Sequence, residues 1–236
     1  MQVDTVKEAP RAAARAAGLA YLISFALVAA VEFGVHQRVV SGDPILQTVD
    51  AAATARNIAE NLWWFRLGIA IDLLYCVGVT VVLAAFYIIL RPFGTTVAAV
   101  AATSRILFAG AWALLSADLF GTTRLLSGAS YLGAFSDEQV QAMAALPLSI
   151  RWDHYYAGLL FWGISTALFC TLWLRSRYIP RAFTAVGAWA TLCAFAYIVD
   201  PAFADVVNVW WFDTPLAIFE TALSIVLLVK PPSTHA

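Results

Sequence analysis

Six stretches of this chain are too long and too apolar for an ordinary water-soluble fold. They run over roughly residues 16–36, 64–90, 96–121, 154–174, 182–200 and 210–229. A hydrocarbon core of about 30 Å is crossed by about 20 apolar residues in a helix. Inside lipid no water satisfies backbone N–H and C=O groups, so only helices and closed barrels can cross. Barrel strands read as short alternating segments, whereas these runs are uniformly apolar. The expectation is an all-α integral membrane protein, a six-transmembrane-helix bundle forming one domain over residues 1–236. Composition agrees: 62% of residues are hydrophobic and 12% charged, against about 25% charged in soluble domains. A net charge of -1 leaves no basic footprint for nucleic acid. No clean small-x-small cleavage site follows the first run, which therefore reads as an uncleaved span.

Lysine and arginine set the orientation, because cytoplasmic loops carry their excess. Lys7, Arg11, Arg15, Arg91, Arg175, Arg177, Arg181 and Lys230 fall on one side, and Arg38, Arg56, Arg124 and Arg151 on the other. The first side is cytoplasmic, with both termini. Trp63, Trp64, Trp152, Trp210 and Trp211 then mark the outer ends of spans, where amphipathic rings anchor. Two outer loops are long, 37–63 and 122–152. Asp50 is a suitable N-cap for a short helix in DAAATARNIAENL, and Ser136 with Gln139 forms a capping-box pattern for a second one lying on the membrane surface. Cys76, Cys170 and Cys193 all lie within spans without CxxC spacing, so neither a disulfide framework nor a thiolate metal site is expected.

Charges inside the spans need an explanation. Arg66 and Asp72 share one run, WWFRLGIAIDLLY, but their separation puts them on different helix faces. At about 1.5 Å per residue, Asp72 lies about 13 Å below the Trp63–Trp64 pair, Glu220 about 15 Å below Trp210, and Arg105 about 14 Å from its cytoplasmic end. All three fall near the midplane. Arg105, Ala109, Trp112 and Ser116 form one helical stripe, and Asp213, Ala217, Glu220 and Ser224 another. These stripes predict an inward-facing cluster of Arg105, Asp72 and Glu220. WWFRLGIAID (63–72) also aligns without gaps to WWFDTPLAIF (210–219), which suggests repeated pairs of spans. The alignment matches Arg66 with Asp213 and predicts that pair at the mouth of an outward-facing pocket.

A second polar group lies nearer the outside: Glu32, His36, Asp118, Asp153, His154 and Asp200. Glu32, His36, Asp153 and His154 are of the type that holds a divalent metal and activates water. No HExxH spacing is present, however, and two histidines alone make a poor case for a haem. No cofactor is predicted.

Several segments together resemble the bacterial membrane-protein family catalogued as domain of unknown function 4386. They are RAAGLAYLIS, DAAATARNIAENLWWFRLGIAIDLLY, LRPFG, SRILFAGA and LRSRYIPRAFTAVGAW. Arg66, Asp72, Arg105 and the 175–180 turn match the family pattern; Glu220 gains no support from it. The resemblance implies a bacterial inner membrane and adds no chemistry. The residues themselves suggest transport or binding of a small solute, with proton linkage through the core acids and the lipid bilayer as partner. The alternatives are an outer-leaflet enzyme with a metal site and a structural accessory subunit. Chains of this size commonly dimerise, but no span isolates a dimer face.

Overall fold

The computed structural model describes residues 2–41, 50–179, 181–182, 185–189, 192 and 209–230, with side chains except at 2–9, 149, 152 and 209–217. Among these residues every regular element is helical. The main helices are α1 (Gln2–Val31), α2 (Ala51–Glu60), α3 (Leu62–Leu90), α4 (Thr95–Leu125), α5 (Asp137–Ser176) and α6 (Val209–Val229). Four helical segments are long and apolar enough to cross a membrane: Pro10–Val39, Leu62–Phe93, Thr95–Leu125 and Asp137–Ser176. The sixth predicted span coincides with α6. The fifth, 182–200, lies largely outside the described residues. Asp200 and Cys193 lie outside them as well.

Burial follows the membrane pattern rather than the soluble one. Leu114, Val77, Ile106 and Leu19 point outward, while Asp72, Arg105, Ser116, Arg151 and Ser165 are buried. Large exposed apolar areas mark contact with another apolar phase, here lipid. Trp63 and Trp64 are also exposed at the start of α3.

Local chemistry sets the helix ends. Asp50 Oδ1 accepts the Ala53 N–H at 2.9 Å and caps α2. At the start of α5, the Ser136 N–H donates to Gln139 Oε1 at 2.9 Å and the Gln139 N–H donates to Ser136 Oγ at 3.3 Å. These two bonds make the predicted capping box. The helix that it opens is not a separate surface helix as expected. It continues through Pro147 to Ser176, 40 residues in all. At 1.5 Å per residue that is about 60 Å, twice the hydrocarbon thickness. Loss of one N–H at Pro147 does not end it, because the flanking turns keep their own bonds. α5 ends where Arg177 adopts φ 55°. There the Arg177 N–H donates to Leu174 O and the Tyr178 N–H to Trp173 O, closing the last turn.

The chain packs into two compact units: Met1–Phe25, Val77–Ala109 and Ala157–Ala236 form one, and Ala26–Cys76 with Gly110–Tyr156 the other. In the first, Phe86 centres an aromatic cluster with Phe169, Trp173 and Tyr21 at 5.2, 5.5 and 5.7 Å between ring centroids. Small residues let its helices approach. A Cβ on Gly18 of α1 would lie 2.7 Å from Ser224 O of α6, and one on Gly78 of α3 would strike Ser24 Oγ of α1. Lipid offers no hydrophobic drive between helices, so such close backbone contacts supply the attraction. In the second unit Val39, Ile58, Phe65, Ile69, Leu119 and Leu148 form the apolar core. There the first membrane segment loosens into a π-helical turn, Glu32–His36.

Candidate functional site

Each unit holds a buried arginine in its own polar setting. In the first unit this is Arg105 of α4, 4% exposed. Its Nε donates to Ser165 Oγ at 3.3 Å, its Nη2 to Thr166 Oγ1 at 2.9 Å and its Nη1 to Glu220 Oε1 at 3.5 Å. The guanidinium carbon lies 4.7 Å from the centre of the Trp162 ring, within cation–π range. Glu220 on α6 also takes hydrogen bonds from the Tyr21 hydroxyl and the Trp162 indole. Tyr21 is one turn from Gly18, and Glu220 one turn from Ser224. The close Gly18–Ser224 contact therefore holds these two side chains together.

The second unit contains Arg151 of α5, 5% exposed. Its Nη2 donates to Glu32 Oε2 at 3.1 Å, and its Nη1 lies 2.8 and 3.1 Å from the two ring nitrogens of His36. His36 Nδ1 is also 3.0 Å from Glu32 Oε2. Arginine only donates. With the hydrogen on Nδ1, that nitrogen donates to Glu32 and Nε2 accepts from Arg151, and the 2.8 Å approach of Nη1 to Nδ1 is then a close contact rather than a hydrogen bond. The π-helical turn carries both Glu32 and His36, and such turns recur at functional sites.

Asp72 of α3 belongs to this second unit and is 2% exposed. Its Oδ2 is buried and accepts no hydrogen bond. The Trp112 indole N–H is directed at its carboxylate, short of full hydrogen-bond geometry at Oδ2, and the charges acting on it are those of Arg151 and Glu32.

The predicted core cluster is thus distributed over two settings. Arg105 and Glu220 meet in one unit. Asp72 falls in the other, where Arg151 supplies the positive charge. Arg66 is exposed at the start of α3. Asp213 is helical, but its side chain lies outside those described. Of the four metal-type residues, Glu32 and His36 bond to each other and to Arg151, Asp153 is exposed, and His154 Nδ1 pairs with Asp118 Oδ2 at 2.9 Å. Among the described residues no three His, Cys, Asp or Glu side chains gather as a metal site.

Sequence reasoning missed the roles of Arg151, Tyr21, Trp162, Ser165 and Thr166. By sequence position alone Arg151 is an outer-loop charge, because it precedes the 154–174 run. The Ser165–Thr166 pair inside an apolar run was the available signal.

Among the described residues, four helices long and apolar enough to cross a membrane, with Asp72, Arg105 and Arg151 buried, define a helical membrane protein. A family model described as Domain of unknown function (DUF4386) matches residues 16–230, and the chain belongs to that family. Comparison with curated proteins and with solved structures gives no match.

Proposed function

We propose that the protein binds or transports a small solute in proton-linked fashion across a bacterial inner membrane. It does so as a six-span bundle with both termini cytoplasmic. The excess of lysine and arginine on one side supports the orientation, and the helical α6 supports a span beyond the four long ones. The family resemblance supports the bacterial membrane.

One observation carries the functional reading: Asp72 Oδ2, buried in a membrane-length helix without a hydrogen bond. Leaving a buried acceptor unpaired costs about 1–3 kcal/mol, and more for a charged group. A purely structural carboxylate would be expected to have been replaced or paired. A carboxylate that loads and releases a proton has a use for such a free oxygen, which can take the proton. Intramembrane acids of this kind mark proton relays and solute paths.

The test is proteoliposomes loaded with a pH-sensitive dye and exposed to panels of small carboxylates, amines and sugars. At least one panel is expected to evoke proton movement with the wild type. Asp72→Asn should abolish it, and Asp153→Asn, at an exposed position, should not. Identical traces for wild type and Asp72→Asn, or no response to any panel, would overturn the reading.

A further inference from the structure

The Arg105 site has more hydrogen-bond donors than acceptors. A guanidinium carries five N–H groups, and Arg105 uses three, on Ser165, Thr166 and Glu220. Two N–H groups remain at a position that is 4% exposed. Ser165 and Thr166 accept from Arg105, yet neither donates its own hydroxyl hydrogen among the described residues. Both are buried, at 0% and 2%. Helical hydroxyls elsewhere in this chain return their hydrogen to a preceding carbonyl, as Thr171 does to Ala167 O, Ser116 to Trp112 O and Ser224 to Glu220 O. Ser165 and Thr166 do not. Among the described residues four donors around one buried guanidinium are therefore left without an acceptor, although buried polar groups are almost always paired.

From this geometry we propose that Arg105, Ser165 and Thr166 bind the carboxylate of a small monocarboxylic acid. Two oxygens with about four lone-pair positions suit four donors, and the planar fork of arginine matches a carboxylate in bidentate fashion. Glu220 does not compete for those donors. Its carboxylate is met by Tyr21 and Trp162 as well as by one long bond to Arg105. A dianion has no second cation to meet, since Arg105 is the only buried Lys or Arg among the described residues of its unit. Trp162 stacks on the arginine at 4.7 Å, and Tyr21 and Cys170 lie within its electrostatic reach; these side chains are the neighbours an apolar tail would meet. The inference rests on the reading of the chain as a solute-binding membrane protein, and it explains a proton linkage. A proton crossing with the carboxylate cancels its charge.

The experiment is thermal protection and titration calorimetry on the detergent-purified full chain. The ligands are acetate, butyrate and benzoate, each against its neutral amide. At least one acid is expected to bind and protect, and its amide to bind more weakly. Arg105→Lys keeps the charge but loses the fork, and should weaken binding by about ten- to hundredfold. Ser165→Ala, a change small enough to leave the packing intact, should weaken it by about tenfold. The proposal fails if no acid protects the folded wild type, if the amides protect equally, or if Ser165→Ala binds like wild type. If amines or sugars evoke Asp72-dependent proton movement while no acid binds, only the carboxylate inference falls. If acids bind through Arg105 while Asp72→Asn leaves proton movement unchanged, only the reading built on Asp72 falls.

Discussion

Replacing Arg105 with Met removes one partner of a buried pair and leaves Glu220 facing only the Tyr21 hydroxyl and the Trp162 indole. The change deletes the bonds to Ser165 and Thr166 at 3.3 and 2.9 Å and the contact over Trp162 at 4.7 Å. The Glu220 bond at 3.5 Å is too long to contribute a full hydrogen bond. The larger loss is the carboxylate left without a cation in a low-dielectric setting. Breaking such a pair costs about 3–5 kcal/mol, whereas removing both charges is often neutral. At about 2–4 °C per kcal/mol for a chain of this size, Arg105→Met should lower Tm by about 6–20 °C. The double variant Arg105→Met with Glu220→Gln should recover most of that, because Gln keeps an acceptor for Tyr21 and Trp162 and carries no charge. The assay is thermal unfolding in one detergent, with circular dichroism to follow helix content. A single variant as stable as wild type would show that the pair contributes nothing to folding. A double variant as unstable as the single would show that the cost comes from lost packing around Trp162 rather than from an orphaned charge.

Three further outcomes are expected. Gly18→Ala should cost about 1–3 kcal/mol, since its Cβ meets Ser224 O at 2.7 Å and Leu228 Cγ at 2.8 Å; Gly110→Ala, whose Cβ meets nothing within 4 Å, should be neutral or stabilising by up to about 1 kcal/mol. Arg151→Met should destabilise by about 3–5 kcal/mol, while Arg38→Met, exposed on the same predicted outer side, should stay within about 0.5 kcal/mol; equal Tm values for the two would contradict the buried Glu32–His36–Arg151 network. Arg177→Gly should raise stability by about 1 kcal/mol, because its φ of 55° is strained for a residue with a Cβ and not for glycine; a lower Tm would indicate that the arginine side chain, not its backbone, holds the end of α5.

The membrane class, the helical composition and the limits of most long helices follow from runs of apolar residues, because lipid demands a helix wherever about 20 such residues occur together. The caps at Asp50 and at Ser136–Gln139 were equally legible, since they depend on residues no more than three positions apart. Depth could also be counted, and Arg105 and Glu220, given similar depths by that count, lie 3.5 Å apart. Depth alone did not decide partners. A helix of uniform apolarity gives little indication of which neighbour meets which face, so depth and helical stripes alone group Asp72 with Arg105 and Glu220. Tertiary packing assigned it instead to the unit of Arg151, a residue whose sequence position suggested a loop. The forty-residue α5 is the reason: it carries the helix through Pro147 and keeps Arg151 on a continuous buried face. Close contacts at Gly18 and Gly78, which sequence spacing does not reveal, then settle which side chains α1 brings to Glu220. Sequence determined the solvent of this protein; only the packing of helix against helix decided which charges meet, because pairing depends on rotation and contact between segments far apart in the chain.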